Sequence, residues 1–217
     1  MTLRPAGRYR LRTLLPSRNA AIRYTLYVPP VASGAKVPLV VAAHFGGTVT
    51  PWLGGDFADL LVVPGFASVP AVIVAPDAGS TSGWSDADEQ DVMWLARRLR
   101  DVYPIDPARV VVTGYSAGGG QTWHLANRNQ DFFTAAIPVS ARPRETIPAP
   151  WRIPVYVIHS RNDELIPIAT VESYVAAQKA AGARMELHVQ TGLGHYQTPS
   201  FIPALQQAAT WLGTVWR

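Results

Sequence analysis

The stretch Val110-Val111-Val112-Thr113-Gly114-Tyr115-Ser116-Ala117-Gly118-Gly119 decides the fold. Three β-branched residues run into a Gly-x-Ser-x-Gly turn, and a helical pattern follows over Ala117 to Arg128. Strand, sharp turn and helix in that order place a serine at the apex. Such a turn strains the serine backbone and lifts its hydroxyl clear of the sheet. Glycines are expected beside it because a Cβ there would collide with the neighbouring strand and helix. The helix starts just after the serine, so its free N–H groups and positive dipole end face whatever the hydroxyl approaches.

Working outward, the pattern repeats. Upstream, Leu39-Val40-Val41-Ala42-Ala43 and Ala71-Val72-Ile73-Val74-Ala75 are continuous apolar runs, as expected of strands buried on both faces. Asp56 to Ser68, interrupted by Pro64 and Gly65, and Asp86 to Tyr103 read as helices. Downstream, Ala135 to Val139, Val155 to Ile158 and Met185 to Val189 read as strands, and Ala169 to Ala181 and Pro203 to Trp216 as helices. At the start, Arg8 to Thr13 and Ile22 to Val28 alternate polar and apolar residues around Pro16-Ser17-Arg18-Asn19, which predicts an antiparallel pair. Strands alternating with helices imply an α/β fold with a mostly parallel sheet covered on both faces. Ligands in such sheets sit outside the carboxyl ends of the strands. His44-Phe45-Gly46-Gly47, Asp77, Ser116, Asp163 and His195 all fall at such ends.

The chain has 217 residues, 48% of them hydrophobic, which suits one domain over residues 1–217. It shows no internal repeat, low-complexity tract or linker. No apolar run reaches the roughly 18 residues that a membrane span needs. Met1 to Arg12 is basic without an apolar core, so no signal peptide is visible and a cytoplasmic location is expected. With no cysteine there is no disulfide framework, thiolate nucleophile or cysteine metal site. Net charge is +4, almost all of the cations being arginine, since the only lysines are Lys36 and Lys179. The cluster Arg97-Arg98-Leu99-Arg100 reads as a solvated helix face. No aromatic-interleaved basic stripe accompanies it, so nucleic acid is not an expected partner.

A serine hydroxyl is a poor nucleophile without a base in hydrogen-bond reach and a third group to orient that base. Of the five histidines, His195 in Gly192-Leu193-Gly194-His195-Tyr196 follows the last strand on a loop free to reach the sheet's edge. His124 in a helix, His188 in a strand and His159 at a strand end read as structural, and His44 as a residue that shapes its loop. The orienting acid is expected at Asp163, with Glu164 as the neighbour able to substitute and an N-terminal helix cap as the alternative use of Asp163. Acyl transfer through such a serine needs two backbone N–H donors for its oxyanion. Ala117 is expected to supply one, and Phe45 or Gly46 the other. Tyr115, Trp84, Trp123, Phe45 and Tyr196 are candidate aromatic walls for a substrate, with core packing the equal alternative for each.

Further motifs point the same way: Trp84 with Asp91-Val92, Tyr103-Pro104-Ile105-Asp106-Pro107 leading into Arg109-Val110, and Ala136-Ile137-Pro138-Val139-Ser140. With these, the elbow, the Asp163 loop and Gly194-His195, the chain from Leu39 onward resembles an α/β-hydrolase. It is most similar to small lidless serine esterases of the feruloyl esterase, polyhydroxybutyrate-depolymerase-like and carboxylesterase/phospholipase-like groups. The resemblance maps nucleophile, acid and base onto Ser116, Asp163 and His195, in the chain order of that fold's triad. It implies a mostly parallel central sheet flanked by helices without a large cap domain, no cofactor and no metal. The expected substrate is a small-molecule or polymer-linked ester, opened through an acyl-enzyme. A serine peptidase of the same fold and a non-catalytic binding protein are the alternatives. The chain departs from the pattern where Phe45 stands for a usual glycine and Ser160 for the glycine after His159. A dienelactone-hydrolase reading is disfavoured, because that group uses a cysteine nucleophile.

Overall fold

A computed structural model describes residues 1–15, 20–80, 83–143 and 150–216. The loop expected at Pro16-Ser17-Arg18-Asn19 lies outside the described residues, as do parts of the Gly79–Ser85 loop and of the Arg142–Arg152 excursion.

Eight strands form one sheet: β1 (Gly7–Leu15), β2 (Ala20–Val28), β3 (Val37–Ala43), β4 (Val72–Pro76), β5 (Ile105–Tyr115), β6 (Ala135–Val139), β7 (Val155–Ser160) and β8 (Met185–Gln190). Their order is β1-β2-β4-β3-β5-β6-β7-β8. The β1–β2 and β2–β4 pairs are antiparallel, and the others are parallel. Strand β5, which leads into Ser116, therefore sits at the centre, where both neighbours fix its height.

The run Leu39–Ala43 shows why the strands carry no polar alternation. Leu39 and Val41 pack into one apolar layer, with Leu95 and Leu99 of α3 (Ala87–Val102), Trp123 of α4 (Ala117–Arg128) and Val171 of α5 (Ile168–Ala180). Val40 and Ala42 pack into the other, with Phe57 of α1 (Leu53–Phe57) and Leu205 and Leu212 of α6 (Ile202–Val215). Burying both faces in this way is the dominant favourable term for the fold. Among the described residues, no helix is long and apolar enough to cross a membrane.

Two local features differ from the sequence expectation. The segment Tyr103-Pro104-Ile105-Asp106-Pro107 is not only a link: β5 begins at Ile105, which pairs with Val37, and a bulge separates that pair from Leu39 with Val110. Pro107 is tolerated there because the bulge asks it for no ladder donor, while Asp106 accepts the Ala108 N–H at 3.0 Å. The helix expected over Asp56 to Ser68 starts earlier, at α1, and continues through a π turn (Ala58–Val62) into the short α2 (Val63–Gly65).

Candidate active site

Ser116 sits between β5 and α4 with φ 55° and ψ −117°, a conformation that L-residues rarely adopt. Neighbouring backbone holds it there. The Ser116 N–H donates to the Val139 carbonyl at 3.0 Å, and the Gly120 N–H donates to the Ser116 carbonyl at 2.9 Å. The turn is possible only because β3, β5 and α4 touch at backbone distance. A Cβ on Gly114 would lie 2.4 Å from the Gly118 carbonyl oxygen and 2.6 Å from that of Ala43.

The imidazole of His195 spans two partners. Its Nε2 is 2.8 Å from Ser116 Oγ, and its Nδ1 is 2.8 Å from Asp163 Oδ2 and 3.0 Å from Oδ1. A carboxylate only accepts, so Nδ1 carries the proton and Nε2 offers its lone pair to the serine hydroxyl. His195 and Asp163 are buried, so this line is shielded from competing water.

Asp163 is shared. Its Oδ1 also accepts the N–H groups of Leu165 at 3.1 Å and Ile166 at 2.7 Å. Since α5 begins only at Ile168, this is a local carboxylate turn rather than the helix cap weighed from sequence. Glu164 does something other than substitute for Asp163: its Oε2 accepts the backbone N–H of His195 at 2.8 Å. Three further bonds tie the His195 loop to the Asp163 loop. Ser160 Oγ donates to the Leu193 carbonyl at 2.5 Å, Gly192 N–H donates to Asn162 Oδ1 at 2.7 Å, and Arg161 N–H donates to the Gln190 carbonyl at 2.9 Å. Tyr115 adds a fifth support by donating its phenol to the His195 carbonyl at 2.6 Å, and burial pushes that phenol's pKa up to about 12. None of these supports is visible as sequence spacing, because the partners lie about thirty or more residues apart.

The other histidines have different tasks. His44 donates from Nδ1 to the Phe45 carbonyl at 2.7 Å and accepts the Ala78 N–H on Nε2 at 3.0 Å, which sets the loop after β3. Trp84 lies tilted against it at 4.8 Å between ring centroids and donates its indole N–H to the His44 carbonyl at 2.7 Å. His159 is fully buried behind Asp163 and donates to the Ile166 carbonyl at 2.8 Å. His124 faces Glu89, and His188 stacks on Tyr156. Asp77 ends β4 but serves the start of α1, accepting the Trp52 N–H at 2.8 Å and the Gly54 N–H at 3.0 Å, and pairing with Arg23.

Burial lowers the pKa of both His44 and His159 below the ordinary 6.5, against the opposing pull of the Phe45 and Ile166 carbonyls and the nearby carboxylates of Asp77, Asp88 and Asp163. The unfolded chain takes up these protons near 6.5, and the folded chain only at lower pH. Their contribution to stability is therefore complete above 6.5 and is lost as the pH falls through the lowered folded values. Calorimetry is expected to show Tm falling between about pH 7.5 and about pH 5. A Tm that rises over that interval contradicts the buried-neutral assignment.

The loop after β3 reaches the start of α4: a Cβ on Gly46 would lie 3.2 Å from the Ala117 Cβ. Two clefts open around Ser116. One, of about 580 Å³, includes Phe45, Leu60, Tyr115, His195, Tyr196 and Pro199 in its lining. The other, of about 700 Å³, includes Trp84, Ala117, Arg142, Ile166 and Thr170. Of the expected aromatic walls, Phe45, Tyr115 and Tyr196 line the first cleft and Trp84 the second. Trp123 lines neither. It is fully buried, edge-on to Trp151 and Tyr174, with its indole N–H on the Ala141 carbonyl at 3.3 Å. It points inward because it belongs to the face of α4 packed on the sheet. Sequence reading did not find Leu60, Leu165 or Thr170. The signal available was Leu60 on a helical face otherwise bearing the exposed acids Asp56 and Asp59.

The central parallel sheet, helices on both faces and a serine elbow at a strand end define an α/β-hydrolase. Residues 88–198 match the dienelactone hydrolase family, more than half of the chain, and the chain belongs to that family. The matched span contains residues 116, 163 and 195. This corrects the expectation that set that group aside: a serine at the elbow does not take the chain out of the family. Among solved structures, the chain is similar to a thermostable esterase at 26% identity and TM-score 0.79, over 95% of this chain and 62% of that one. The chain thus spans less than two thirds of that esterase. It also superposes on a ferulic acid esterase from the anaerobic fungus Anaeromyces mucronatus (12% identity, TM-score 0.75, 97% of this chain and 92% of that one). A puromycin-hydrolysing peptidase of Mycobacterium tuberculosis gives 19% identity and TM-score 0.74, over 97% of this chain and 39% of that one. No curated protein sequence matches. The same fold thus serves the two esterases and the peptidase to which the chain is similar.

Proposed function

We propose that the protein is a serine ester hydrolase acting through an acyl-enzyme, with residues 1–217 working as one domain. The observation that carries this reading is the hydrogen-bonded line from Ser116 through His195 to Asp163 at the floor of open clefts. In the first half-reaction Ser116 Oγ attacks the ester carbonyl carbon while His195 Nε2 takes its proton. The carbonyl π electrons move to oxygen, where the N–H groups of Ala117 and Gly46 stabilise the charge. The carbon–oxygen bond to the alcohol then breaks, and the imidazolium returns its proton to the leaving oxygen. Water, deprotonated by His195, releases the acid in the second half. Asp163 holds the imidazole and offsets its positive charge. The open clefts, which no large cap covers among the described residues, suit substrates that are short or attached to a larger molecule.

The test is turnover of p-nitrophenyl acetate against the matching p-nitroanilide. Ester turnover with little anilide turnover supports an esterase. Anilide turnover at a comparable rate would move the assignment to a peptidase.

Glu164 allows a finer check. Removing its carboxylate frees the His195 backbone, so Glu164→Ala is expected to lower kcat about tenfold with KM little changed. Glu164→Gln keeps an oxygen for that N–H and should lose much less. Equal losses in the two variants would mean that charge, not the backbone clasp, matters there.

A further inference from the structure

An ester has two arms, and two clefts meet at Ser116. Both are lined by Ser116 and Leu165, so the Leu165 side chain stands as a ridge between them. The clefts differ in what else they contain. The first has His195 and Gly46, and the second has Ala117 but neither of those two.

That difference fixes direction if the proposed acyl transfer holds. His195 must hand its proton to the leaving oxygen, so the alcohol arm departs on the side that His195 faces. The carbonyl oxygen points to the seam between the clefts, toward the N–H groups of Gly46 and Ala117, and with the alcohol arm on the His195 side the second cleft is left for the acyl arm. We infer that the first cleft is the alcohol subsite, selective for apolar alcohols, and that the second is the acyl subsite, reaching Trp84 and Thr170.

The apolar preference rests on a separate observation. Among the described residues, five large hydrophobic side chains are well exposed, and three of them line this one cleft: Leu60 at 40%, Leu165 at 54% and Tyr196 at 77%. They come from the π turn, the acid loop and the base loop, three segments with no packing reason to expose apolar surface at one point. Leu60 is the clearest case. Its neighbours Asp56 and Asp59 are exposed and pair with Arg10 and Arg8, as a solvent face should. Exposed apolar surface is unfavourable against burial. An apolar alcohol seated there recovers part of that cost, and a polar one does not.

The chemistry supplies a sharp test, because the alcohol has left before deacylation begins. Two substrate series separate the arms: acetates of methyl to hexyl alcohols, and p-nitrophenyl esters from acetate to hexanoate. Leu60→Gln and Thr170→Trp change exposed positions, one in each cleft. Leu60→Gln is expected to cost hexyl acetate about tenfold in kcat/KM relative to methyl acetate. It should leave the deacylation constant of the acetyl-enzyme, read by pre-steady-state burst, within about twofold. Thr170→Trp is expected to cost the hexanoate about tenfold relative to the acetate and to change its deacylation constant. The inference is overturned if the effects exchange between the variants, or if neither variant reshapes either series. Failure of the wild-type protein to turn over any member of either series would instead overturn the esterase reading on which the inference rests.

Discussion

Ser116→Ala is expected to lower kcat/KM for p-nitrophenyl acetate by about 10⁴-fold or more while leaving the protein folded. Among the described residues, the hydroxyl is the only group placed both on His195 Nε2, at 2.8 Å, and in the lining of both clefts. Without it the imidazole can activate only water, and the residual rate is what the oxyanion donors supply. The backbone needs no rearrangement, because the φ of 55° at residue 116 is imposed by the Val139 and Gly120 hydrogen bonds rather than by the side chain. Steady-state kinetics beside a thermal melt checks both halves. Activity within tenfold of wild type would take Ser116 out of the proposed role.

Gly118→Ala carries the largest expected effect on stability. The added methyl would lie 2.0 Å from the Ala43 carbonyl oxygen and 2.4 Å from that of His44. Both are backbone atoms at the end of β3, and Ala43 is pinned by its register with Gly114. Neither the strand nor α4 can retreat without opening the elbow, so the variant is expected to lose more than about 4 kcal/mol or fail to fold. Gly120→Ala, two residues along the same helix, meets nothing within 4 Å. It should be neutral or stabilise by up to about 1 kcal/mol through helix propensity alone. Urea melts of the pair separate close packing from a general intolerance of α4 to substitution, and a Gly118→Ala protein as stable as wild type would contradict the packing described.

The legible parts of the sequence were those written in local pattern. Leu39–Ala43 and Val110–Val112 announce doubly buried strands because neither face of the sheet meets water, and the elbow announces itself because only glycine fits against the Ala43 carbonyl. Ser116, Asp163 and His195 could be nominated because each follows a strand, and strand ends converge in a parallel sheet. What stayed hidden depends on partners distant in sequence. Trp123 near the elbow looked like a substrate wall, yet its place on α4 turns it into the core. Leu60 and Leu165 looked like ordinary apolar residues, and only the fold brings both beside Ser116. The task of Glu164 depends on where the His195 backbone passes, which spacing cannot encode. The π turn was equally unreadable, since one extra residue per turn leaves the apolar periodicity nearly intact over so short a run.

The central claim is that Ser116 is activated by His195 in the resting protein. Covalent labelling with a fluorophosphonate at neutral pH, read by intact mass and peptide mapping, tests it most directly. The expected result is one adduct, on Ser116, lost in Ser116→Ala and strongly slowed in His195→Gln. A folded wild-type protein that takes up no label, or takes it at another residue, would contradict the claim.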